Sequence, residues 1–79
     1  MKRVLTSSLA LLAMACGPSQ ECRDYVQCQK VVDANVDVSA WDEGGSCWDL
    51  PSTARDCSAV CREALLALRE LPDAPAACR

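Results

Sequence analysis

The 79-residue chain contains no histidine. Without an imidazole, neither a Ser–His nor a Cys–His nucleophile pair can be built, nor any zinc site that uses a His ligand. Phenylalanine is absent too, and Tyr25, Trp41 and Trp48 are the only aromatic residues. A core must therefore come mostly from Val, Leu and Ala. No basic patch stands out among eight Lys and Arg residues set against eleven Asp and Glu, which argues against nucleic acid as a partner. Long apolar runs are missing as well. The stretch Val4 to Leu12 is softened by Thr6, Ser7 and Ser8 and falls far short of the roughly 20 residues that span a bilayer.

What the chain does hold is cysteine: seven residues, an awkward number for an exported protein, where thiols normally pair. The amino end supplies a use for the odd one. Lys2 and Arg3 give a charged start, Val4 to Leu12 an apolar segment, and Ala13-Met14-Ala15 a small-residue exit before Cys16. The reading is a signal peptide over 1–15, with Cys16 acylated as the first mature residue. Ala15-Cys16-Gly17 resembles the bacterial lipoprotein signal, although Ala13 stands where Leu is usual and Leu12 sits one place early. The same Ala-x-Ala also suits an ordinary signal peptidase cutting at the same bond, which would leave a free, secreted protein. Gly17 after Cys16, rather than Asp, resembles the pattern sorted to the outer membrane.

After Cys16 remain 63 residues with six basic and eleven acidic side chains, a net charge near −5. Electrostatic attraction to anionic lipid heads is not expected. Membrane lipid is a partner only through acyl chains, each buried methylene contributing about 0.8 kcal/mol. A chain this short buries little apolar surface and needs covalent staples. The tether 16–21 is short, reaching about 20 Å from Cys16 to Cys22 at full extension.

Over 22–79 two helices are expected. Ser19 can cap the first, predicted over 20–33, with Cys22, Tyr25, Cys28 and Val32 on one stripe and Val31 off it. The second starts from a capping box of Thr53 with Asp56 and carries Cys57, Cys61, Ala64, Leu68 and Leu71 at intervals of four and three, flanked by Val60 and Leu65. Pro72 stops it. Between them, residues 34–51 form a long connection broken at Gly44-Gly45, with Val36 and Val38 suiting an extended piece and Ser39 to Asp42 a single helical turn. The expected fold is small, all-α and disulfide-rich: an antiparallel α-hairpin with a long intervening loop.

The six cysteines Cys22, Cys28, Cys47, Cys57, Cys61 and Cys78 allow fifteen pairings. An antiparallel hairpin favours the nested set Cys22–Cys78, Cys28–Cys61 and Cys47–Cys57. Its main rival joins Cys22–Cys61, Cys28–Cys57 and Cys47–Cys78.

Motifs that carry chemistry elsewhere are weak here. Cys57-x-x-x-Cys61 is not the C-x-x-C of thioredoxin-like oxidoreductases, and no βαβ pattern surrounds it, so a structural disulfide role is favoured. An all-thiolate metal site would need reduced cysteines, and no metal or other cofactor is expected. Asp33-Ala34-Asn35-Val36-Asp37 opens like an EF-hand loop, but Val38 replaces the turn glycine and Gly44 the final bidentate Glu. Weak calcium binding by Asp33, Asp37, Asp42 or Glu43 is the residual alternative to a solvated acidic loop. Asp42 and Glu43 are adjacent carboxylates with no inferable pocket. Trp41 and Trp48 are read as core plugs rather than a contact patch.

The layout Cys22-x2-Tyr25-x2-Cys28, then Gly45-Ser46-Cys47-Trp48, then Cys57-x3-Cys61 and Cys78, resembles small six-cysteine lipoproteins of the myxobacterial type. That group implies no activity to carry over. The expected role is non-catalytic: a lipid-anchored cell-envelope interaction module whose partner is an envelope or external protein. The alternative is a secreted disulfide-rich effector or inhibitor.

Overall fold

Helix α1 (Gln20–Val32) begins where a side chain can cap it. In the computed structural model, which describes residues 17–79, Ser19 is extended and its Oγ accepts from the Cys22 amide at 3.4 Å. Glu21 in the first turn and Lys30 in the last both complement the helix dipole. Cys22, Tyr25, Val26, Cys28 and Gln29 form the buried face, while Val31 is exposed. The signal peptide expected over 1–15 and the lipidation expected at Cys16 fall outside the described residues.

Helix α2 (Pro51–Arg69) starts earlier than its capping box suggests. Leu50 occupies the N-cap in extended conformation with no side-chain cap, and Pro51 is the first helical residue. Proline's fixed φ and missing amide suit that position, so the helix gains two residues ahead of Thr53. It ends at Arg69. The amides of Glu70 and Leu71 turn to carbonyls three residues back, as suits a chain approaching Pro72. Cys61 and Leu65 are buried, and Cys57, Ala64 and Leu68 pack against the core, whereas Val60 and Leu71 point outward.

Two short 3-10 turns complete the described elements, η1 (Ser46–Trp48) and η2 (Ala76–Cys78). The connection between the helices has no strand. Val38 is buried, Val36 is exposed, and Ser39 to Trp41 make a turn rather than a helical segment. Trp41 meets Tyr25 edge to face at 5.6 Å between ring centres. Trp41 and Trp48 are both half-buried against the core, and the Trp48 Nε1 donates to the Asp42 carbonyl at 3.1 Å. The glycine pair divides two tasks. Gly44 has φ 76°, while a Cβ on Gly45 would lie 2.3 Å from the Ala40 carbonyl oxygen and 2.4 Å from that of Ser39.

The small, all-α, disulfide-rich class holds, with two helices and a long connection, but the helices are not antiparallel. Contacts rise along both together. Ser19 meets Ser58, with 2.7 Å between hydroxyls, Cys22 is bonded to Cys61, and Cys28 and Arg69 both meet Cys78. An antiparallel pair fixed at Cys22 and Cys61 would carry Cys28 and Arg69 roughly 20 Å apart along the axes. The helices therefore run side by side in the same sense. The connection returns along α1, past Tyr25 and Lys30, to begin α2 near the amino end of α1.

This direction corrects the pairing. Cys47–Cys57 is bonded as expected, but the other two bonds are Cys22–Cys61 and Cys28–Cys78, not Cys22–Cys78 and Cys28–Cys61. The turn after Arg69 returns the tail to the carboxyl half of α1, where Cys28 lies, and leaves Cys22 to face α2. Arg69 Nε donates to the Cys78 carbonyl, and Arg79 Nη2 to that of Ala74 at 2.8 Å, fastening the tail from both sides.

Two predictions follow from this packing. Gly45→Ala should destabilise by about 2–3 kcal/mol through its backbone clash, and Gly44→Ala by about 1 kcal/mol through its backbone angle alone, as read by denaturant unfolding. Replacing Cys28 and Cys78 by Ser opens a 50-residue separation and should cost about 4 kcal/mol. The same change at Cys47 and Cys57, 10 residues apart, should cost about 2.7 kcal/mol, so its unfolding midpoint should fall less.

Candidate functional site

The shared direction of the helices gives the body two unlike ends. At the amino end, Ser19 caps α1 and its hydroxyl bonds that of Ser58, which also bonds the Ala54 carbonyl at 2.8 Å. Each hydroxyl has one proton, so a relay from the Cys22 amide through Ser19 and Ser58 to Ala54 satisfies every group. The folded body thus begins at Ser19, three residues beyond Cys16, or at most about 11 Å of extended chain. A cavity of about 310 Å³ beside this point is lined by Pro18, Ser19, Gln20 and Arg23. Its one hydroxyl is committed to the cap, so it offers a guanidinium but no free nucleophile.

At the carboxyl end lie four of the six large apolar side chains that are exposed among the described residues. Val31 is in the last turn of α1, Leu66 is in the last turn of α2, and Val36 and Leu71 follow each helix. Sequence periodicity placed Val31 off the stripe but not Leu66 or Leu71 at its end. Their grouping follows from helix direction, which periodicity does not encode.

Charge is just as unevenly shared. Residues 33–50 carry Asp33, Asp37, Asp42, Glu43 and Asp49 with no Lys or Arg, while the helices and tail balance six acids against six bases. The carboxylates of this connection serve their own backbone. Asp33 Oδ1 accepts from the Asn35 amide and Asp37 Oδ1 from that of Ser39, each at 3.0 Å. Asp42 accepts from the Glu43 amide at 2.8 Å and from Lys30 Nζ at 3.3 Å. The Ser39 amide holds the Asp37 carboxyl below the ordinary carboxylate range, and the Glu43 amide followed by Lys30 does the same for Asp42. An ionised Asp42 is the opposite of what a general acid requires. No group of three His, Cys, Asp or Glu side chains among the described residues is placed to hold a metal ion. Cys57 and Cys61 each bond a different distant partner, so no dithiol pair is present on α2. Burial pushes the Tyr25 phenol above its usual value, with its hydroxyl 3.4 Å from Gln29 Oε1.

No family model, curated protein or solved structure matches the chain. No helix among the described residues is long and apolar enough to cross a membrane.

The pH response follows from these shifts. Asp37 and Asp42 have folded pKa values below the ordinary 3.8, so their contribution is complete above about pH 5 and disappears as pH falls through the lowered values. Both groups are solvent-exposed, so the effect should be small and weakened by salt. Tyr25 acts in the other direction, with stability lost as pH rises past 10. Unfolding midpoints should be flat from pH 5 to 9 and fall on either side, and Asp37→Asn should reduce the acid-side slope.

Proposed function

We propose that the chain is a non-catalytic, lipid-anchored protein of the cell envelope that presents its carboxyl end to a protein partner. The observation carrying this reading is the separation of its ends: the body starts three residues from Cys16, and four exposed apolar side chains lie in or after the last turns of the two helices. The signal pattern through Ala15-Cys16-Gly17 and the even set of six bonded cysteines support acylation of the seventh. Gly17 favours the outer membrane, and the cysteine layout favours the six-cysteine myxobacterial lipoprotein type. The partner is an envelope or external protein, not a nucleic acid, and the chain needs no cofactor.

Mass spectrometry of the mature protein tests the anchor. The expected result is a chain starting at Cys16 with acyl mass on that residue, recovered with membranes, and a Cys16→Ser chain that loses both. An unmodified Cys16 on freely soluble protein overturns the reading and favours the secreted effector or inhibitor.

A further inference from the structure

The helix direction has a consequence at the anchored end. Ser58 lies level with Ser19, so the seven residues Pro51 to Cys57 of α2 project beyond the start of α1 by roughly 10 Å. The chain enters α1 at this same end, through Gly17 and Pro18. The tether holds the body scarcely clear of this projection, because its full reach of about 11 Å only just matches the overhang. The tip consists of Leu50, which is 60% exposed, and Pro51, also exposed. Trp48 lies just behind it, since its neighbour Cys47 is bonded to Cys57. Its ring packs against the core with its N–H on the Asp42 carbonyl, so the tip rests on a fixed support.

From this geometry we infer that the overhanging start of α2, led by Leu50 and Pro51, rests on the bilayer that holds the acyl chains of Cys16. The inference depends on the proposed acylation. Its ligand is the lipid surface itself. Asp49, Arg55 and Asp56 surround the tip with charge of both signs, which limits the contact to headgroup depth and gives no preference for anionic lipid. The contact fixes orientation. It turns the carboxyl end, with Val31, Val36, Leu66 and Leu71, away from the membrane.

Reporters at opposite ends make the test direct, since Trp41 and Trp48 share one loop: the Cys47 amide donates to the Ala40 carbonyl at 3.2 Å and Trp48 Nε1 to that of Asp42 at 3.1 Å. Leu50 at the tip and Leu66 in the last turn of α2 are both exposed and lie roughly 24 Å apart along that helix. Full-length protein is purified from membranes, checked for acyl mass, and reconstituted in phosphatidylcholine vesicles brominated in the upper acyl chain. Leu50→Trp and Leu66→Trp, each with Trp41→Phe and Trp48→Phe, leave one reporter apiece. The expected result is at least twofold stronger quenching in the Leu50→Trp chain than in the Leu66→Trp chain. Leu50→Asp, at an exposed position that keeps the native tryptophans and the core, should at least halve their quenching without releasing protein from the vesicles. Equal quenching of the two reporter chains in acylated protein, or no response to Leu50→Asp, overturns the inference and leaves the anchor standing. Protein without acyl mass overturns the anchor and this inference with it.

Discussion

The bond between Cys22 and Cys61 sets the rest of the molecule. Both residues are fully buried, and their Cα atoms are 5.0 Å apart, close enough to hold two helices in one register. Tyr25, Val26 and Leu65 pack in the same buried cluster, and the connecting segment lays Val38 and Trp41 over it. With no Phe, and with cysteines as the largest fully buried side chains among the described residues, the apolar contribution of such a core is limited. Cross-links supply what a larger core would, by narrowing the unfolded ensemble rather than by adding contacts.

Much of the local structure was legible from residue order. Ser19 as cap, the extent of α1, and the outward Val31 all follow from short-range rules that the structure obeys. The bond between Cys47 and Cys57 was expected from an antiparallel hairpin, and it survives the change of direction because the two are only 10 residues apart. The failures share one cause. Helix direction depends on how an 18-residue connection travels, and periodicity says nothing of that. Length alone carried a warning, since antiparallel helix pairs are usually joined by about 2–8 residues. A connection long enough to run back along a 13-residue helix permits the parallel arrangement, and once direction changes, two of three cysteine pairs change with it. The start of α2 shows a smaller conflict of the same kind. Thr53 and Asp56 make a plausible cap, but Pro51 fits the first helical position better and prevails.

The functional residues were less legible than the fold because they are defined by place and not by type. Val36, Leu66 and Leu71 are ordinary residues until the helices are known to end together. The acidic connection has a local explanation, with carboxylates that accept from neighbouring amides and shape its turns. Its excess charge still leaves one side of an otherwise balanced body negative.

The pattern of cross-links also bears on how the protein must be made. In chain order the six bonded cysteines are Cys22, Cys28, Cys47, Cys57, Cys61 and Cys78, and of these only Cys47 and Cys57 are both neighbours and partners. Oxidation that joined these thiols in chain order would first couple Cys22 to Cys28, a linkage the finished protein does not contain. Reaching the native set then requires thiol–disulfide exchange once Cys78 is present. A host with oxidising power but little isomerase should accumulate scrambled chains, which makes the isomerase, more than the oxidant, the factor limiting yield.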